Sequence, residues 1–137
     1  MNNPYYSGFF AGLKPDTRMT VSEWADEHRI LPMKSAKEAG RWRTARTPYL
    51  REIMDAMSPS SAVEQVAFMK GAQVGGTEAG NNVLGYVIHH TPGPMMYVLP
   101  TLDMAKRTSK QRIAPMIEAM PVLRDLVNLN SAVKITS

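Results

Sequence analysis

Residues 63–90 constrain the fold more than any other stretch. A short, β-branched apolar run, VEQVAFM (63–69), leads directly into a glycine-bearing loop, KGAQVGGT (70–77), and then into a helically patterned segment. The run has the near-continuous apolar character of a strand buried in a parallel sheet. From Glu78 to His90 the pattern predicts a helix with Ala79, Val83, Leu84, Val87 and Ile88 facing inward, despite Gly80 and Gly85. Thr91-Pro92-Gly93-Pro94 breaks it, MMYVL (95–99) reads as a second buried strand, and Thr101 or Asp103 opens a helix to about Met120, bent near Pro115. Strand, loop, helix, strand and helix in that order imply a parallel sheet with right-handed crossovers and helices on its faces. Pro121-Val122-Leu123 reads as a short helical turn, and AVKIT (132–136) as the start of a third strand.

Upstream, residues 1–19 are rich in Gly, Pro and Asn with no sustained period, so they are expected to form a flexible arm ahead of a domain spanning 20–137. Thr20 or Ser22 is placed to cap a helix through SEWADEH, with Glu23 near its positive end, Trp24 inward and Pro32 as the stop. Pro48 opens PYLREIMDAM, whose Leu50, Ile53, Met54 and Met57 recur at helical spacing, and Ser58-Pro59-Ser60-Ser61 turns the chain. Eleven methionines, several on these stripes, read as core filling.

Apolar residues make up 44% and charged residues 20%, with no apolar run of bilayer length and no signal-peptide pattern, so a soluble cytosolic protein without a membrane partner is expected. The chain has no cysteine, which removes disulfides and thiolate metal sites, and His28, His89 and His90 lack the i, i+4 spacing of a zinc site. Net charge is +4, concentrated in two patches: Arg41, Arg43, Arg46 and Arg51 without an acid, and Lys106, Arg107, Lys110 and Arg112 against Asp103 alone. Each patch is either a solvated face or a set of phosphate contacts.

The 70–77 loop carries the chemistry. In the usual phosphate-binding loop, G-x-x-x-x-G-K-[ST], backbone N–H groups wrap the phosphates, a lysine neutralises them and the hydroxyl ligates Mg²⁺. Aligned on Thr77 as the hydroxyl, Gly75 keeps the second glycine, Gly76 stands where the lysine belongs, and Lys70 occupies the first position. The lysine is displaced to the start of the loop, from where a long flexible side chain can still approach the anion. The alternative for Gly71, Gly75 and Gly76 is a tight turn, for Thr77 a helix cap, and for Lys70 a solvent-facing strand end.

SEWAD, LP, GRW, RTPYLREIMDAM, VAFMKGAQVGGTE and YVLPT follow one another here in the order of comparable segments in the large terminase subunits of lambda-like tailed phages. From about Val21 to Leu126 the chain resembles the amino-terminal ATPase part of that family. The resemblance implies an α/β, P-loop NTPase-like parallel sheet with flanking helices, truncated after two or three strands. It implies ATP and Mg²⁺ as cofactors, with Lys70 on the β- and γ-phosphates, Gly71, Ala72, Gln73, Val74, Gly75 and Gly76 forming the wrap, and Thr77 at the metal. Tyr49 fits the family's aromatic adenine platform or is simply a partly buried helix residue, and Leu50 stands where a glutamine is expected. Arg41, Trp42 and Arg43 are candidates for nucleotide or DNA, with Trp42 as a packing anchor the preferred reading, and Lys106, Arg107 and Lys110 are candidates for DNA phosphates.

The implied partners are double-stranded viral DNA, a small terminase subunit and the portal of the procapsid, in the host cytoplasm. The acidic strand end used for hydrolysis, and the nuclease carboxylates, are expected beyond Ser137, so no catalytic residue is assigned. An unpaired sheet edge would favour self-association. Two other readings stay open: a non-catalytic interaction module with the same fold, and a DNA-binding module acting through its basic patches.

Overall fold

A computed structural model describes residues 18–33 and 39–127, which fold as a helical core with one small two-stranded sheet. The 132–136 run, and all but the last two residues of the 1–19 arm, lie outside the described residues. Helix α1 (Val21–His28) starts where the sequence places it. Thr20 and Glu23 form a reciprocal capping box, Glu23 N–H donating to Thr20 Oγ1 at 3.4 Å and Thr20 N–H to Glu23 Oε2 at 2.9 Å. The two following amides reach across the fold, Val21 N–H to Ser58 Oγ at 3.0 Å and Ser22 N–H to Asp55 Oδ1 at 3.1 Å. The groups that an isolated helix leaves unsatisfied therefore tie α1 to the end of the next helix.

Strands β1 (Ile30–Leu31) and β2 (Gly40–Arg41) pair antiparallel, Ile30 opposite Arg41 and Leu31 opposite Gly40. A 3-10 turn, Thr44–Arg46, leads to α2 (Tyr49–Ala56). Helix α3 (Gly76–His89) begins two residues before the sequence pattern suggested. The last helical stretch is α4 (Leu102–Thr108), a π-helical turn (Ser109–Ile113) and α5 (Ala114–Ala119), followed by α6 (Pro121–Arg124). The expected bend near Pro115 thus takes the form of a widened turn just before it. Pro115 has no N–H for the Gln111 carbonyl, and its ring would collide with that group in a regular helix.

Helices α1, α2 and α6 pack around α3. Trp24, Leu50, Met54, Met116, Met120 and Leu123 are the largest fully buried apolar side chains, so Met54, Met116 and Met120 fill the core as expected, whereas Met57 of the same stripe is exposed. Gly85 explains a residue that helix propensity alone disfavours. A Cβ there would lie 2.5 Å from Trp24 Cη2, so the indole ring occupies the place a side chain would need.

The expected parallel sheet is the main departure from the sequence reading. Among the described residues the β1–β2 antiparallel pair is the only ladder, and the runs 63–69 and 95–99 are extended without ladder partners. Neither is buried: Met69 is 99% exposed, Met96 84% and Val98 76%. A ladder requires two runs brought about 4.8 Å apart in register. Each run instead rests a ring on α3, Phe68 beside Gly76 and Tyr97 beside Gly80. β-Branched composition makes a segment fit a sheet but does not by itself supply a neighbouring strand.

Candidate functional site: the loop at the start of α3

The loop leaves the 63–69 run at Lys70, turns through Ala72 and Gln73, and enters α3 at Gly76. Two residues adopt left-handed backbone, Gln73 with φ 59° and Gly75 with φ 80°. Gly75 also lies against α2, since a Cβ there would approach Leu50 Cδ1 to 3.1 Å. Both its conformation and its surroundings therefore favour glycine.

Lys70 and Gly76 meet. A Cβ on Gly76 would stand 2.5 Å from Lys70 Cδ and 2.8 Å from its Cε, with Phe68 Cε1 at 3.2 Å. The lysine stem thus lies across the bare backbone that opens α3, and its ammonium is delivered to the amino-terminal end of a 14-residue helix. No side chain caps that end. Its first N–H groups and the positive pole of the helix are available to an anion. Thr77 sits exposed in the first turn, and Lys70 to Gln73 are exposed as well.

Tyr49 holds the loop from α2, its hydroxyl donating to the Val74 carbonyl at 3.0 Å while the residue stays 53% exposed. The structure therefore brings Lys70, Val74, Gly75, Gly76, Thr77 and Tyr49 together. The basic candidates lie apart from this group. Arg41 and Arg43 are exposed around β2, Arg41 donating to the Glu27 carbonyl at 3.5 Å. Trp42 between them is buried, with its indole N–H on Thr44 Oγ1 at 3.0 Å, which makes it a packing anchor. Lys106, Arg107 and Lys110 are exposed on α4 and the π turn.

Sequence reasoning missed the groups behind the loop. Glu78, in the first turn of α3, bridges two arginines: Arg29 Nη2 to Glu78 Oε2 at 2.7 Å and Arg112 Nη1 to Glu78 Oε1 at 3.3 Å. The Arg29 side chain is only 2% exposed, and its Nε donates to Asn82 Oδ1 at 2.9 Å. Burial pushes the Arg29 guanidinium below its ordinary value, while Glu78 acts in the opposite direction and favours the charged form. Arg112 belongs to the second basic patch yet faces the loop helix. The partners lie 49 and 34 positions apart in the chain, which local patterning does not reveal.

Comparison with known proteins identifies the family. The family described as phage terminase large subunit gpA, ATPase domain, matches residues 36–135. This chain belongs to that family. It is also 34% identical over 117 residues to the terminase large subunit of Escherichia phage lambda, an alignment covering 85% of this chain and 18% of that protein. No solved structure matches the chain. The family match supports an ATPase domain, while the described residues hold one two-stranded antiparallel sheet and not the expected parallel one. No described helix is long and apolar enough to cross a membrane.

Proposed function

We propose that this chain is the nucleotide-binding part of a terminase motor that packages viral DNA, holding ATP and Mg²⁺ at the 70–77 loop. One observation carries the reading: the displaced Lys70 lies over Gly76 at an uncapped helix amino terminus, so the loop presents a cation and bare backbone to the same point. Lys70 would neutralise the β- and γ-phosphates. The N–H groups of Gly71, Ala72, Gln73, Val74, Gly75 and Gly76 would surround them.

Thr77 would offer its hydroxyl to Mg²⁺, which would offset the negative charge that repels a nucleophile from the terminal phosphate. Tyr49 has an exposed ring one hydrogen bond from the loop and would stack on the adenine. With Leu50 fully buried, base selectivity would rest on that ring and not on an amide at position 50. Lys106, Arg107 and Lys110, with Arg41 and Arg43, would contact duplex phosphates and contribute affinity without base readout. The small subunit and the procapsid portal are the corresponding protein partners, and the host cytoplasm the corresponding compartment.

Isothermal calorimetry with ATP and Mg²⁺ tests the assignment. The natural chain should bind saturably and Lys70→Ala should lose roughly tenfold or more in affinity, the effect of one charge-assisted contact. Equal binding by both chains, or none by a folded natural chain, would reduce the loop to a strand-to-helix turn.

A further inference from the structure

Residues 70–78 carry one lysine and one glutamate, so the loop with the first turn of its helix offers a phosphate no net positive charge. Glu78 directly follows the candidate metal residue Thr77, where an unpaired carboxylate would repel a polyanion. The structure surrounds that carboxylate with two guanidinium groups of very different standing. Arg29 is buried and fixed by Asn82 and by the Ile30 carbonyl as well as by Glu78, so it stays in place. Arg112 comes from another element, the π-helical turn ahead of Pro115. Its side chain is 46% exposed, and its one recorded polar partner among the described residues is the second Glu78 oxygen. Removing Arg112 from Glu78 would leave the carboxylate still paired. A partly exposed ion pair of this kind contributes little to stability, so exchanging its partner costs little.

We propose that Arg112 is a phosphate-binding residue of this site: it pairs with Glu78 in this structure and transfers to the terminal phosphate of a nucleoside triphosphate. This rests on the nucleotide reading above. The transfer would supply the cation that Gly76 does not, from a planar group suited to two phosphate oxygens at once. It would also join the loop to the helical stretch that carries Lys106, Arg107 and Lys110, since Arg112 lies in the same stretch.

The test compares ATP·Mg²⁺ with ADP·Mg²⁺ in calorimetry, using the natural chain, Arg112→Gln, Arg112→Lys, Glu78→Gln and Lys70→Ala. Circular dichroism melts first establish that each variant is folded. The expected result is that Arg112→Gln weakens ATP roughly tenfold while ADP changes less than about twofold, and that Arg112→Lys recovers part of the loss. Glu78→Gln, which releases the guanidinium, should keep or strengthen ATP binding.

Equal loss of ATP and ADP in Arg112→Gln would make the residue a support for Glu78 and overturn the proposal, as would no loss at all. If Glu78→Gln restores ATP binding to Arg112→Gln in the double variant, the role is charge compensation and the proposal again fails. Lys70→Ala separates the two levels. If it abolishes binding while Arg112→Gln leaves it intact, the nucleotide site stands and only the arginine assignment falls. If the natural chain binds neither nucleotide, both fall.

Discussion

The helices and the extended runs of this chain behave in opposite ways. Helices α1, α2, α3 and α6 bury their apolar stripes against one another, with Trp24, Leu50, Met54 and Leu123 fully enclosed. The runs 63–69 and 95–99 are just as apolar, yet they expose Met69, Met96 and Val98 and join no ladder. A helix satisfies its backbone within itself and needs only a neighbour for one face. A strand depends on another strand for its hydrogen bonds. The loop lies at the join between these regions, with its entry on an extended run and its exit on the best-packed helix.

That contrast predicts a steep gradient of mutational effect. The largest should come from Trp24→Ala. It empties the space over Gly85 and removes the indole bond to His89 Nδ1 at 3.0 Å, and should cost about 3–5 kcal/mol by denaturant unfolding. A loss under about 1 kcal/mol would mean that the helical core is not the cooperative unit.

A smaller effect should follow pH. His89 accepts the Trp24 N–H and faces His28 at a ring distance of 5.1 Å. Burial, and then His28 and His90, hold its pKa below the ordinary value, while Glu27 pulls weakly the other way. The unfolded chain therefore binds the proton more readily. Stability should be complete above the unfolded histidine value of about 6.5 and decline as pH falls through it toward the lower folded value. His89→Gln should flatten that part of a melting-temperature profile, and an unchanged slope would assign it to other groups.

The smallest effect is expected for Met96→Ser, within about 0.5 kcal/mol, because an 84% exposed side chain has little to lose. A loss above about 2 kcal/mol would show that the 95–99 run is buried in solution, against a second copy or another element.

The same contrast marks how much the sequence could disclose. Thr20, the Leu50 and Met54 stripe, the irregularity near Pro115 and the loop itself follow from signals within a few residues, and all appear where those signals put them. Gly85 looked like a weakness in α3 because its partner, Trp24, lies 61 positions away by chain numbering. The Arg29–Glu78–Arg112 cluster was hidden for the same reason, as single charges carry no local period. The strand expectation followed from composition, which records suitability for a sheet but not the presence of a partner.

Amide hydrogen exchange of the natural chain, with and without saturating ATP·Mg²⁺, tests the central claim most directly. Slowed exchange is expected at the backbone amides of 71–78, where phosphates would accept hydrogen bonds, with little change across 95–99 and weaker protection of 71–78 in Lys70→Ala at the same ATP concentration. Unchanged exchange at 71–78 in the natural chain, under conditions where the helical core is protected, would contradict it.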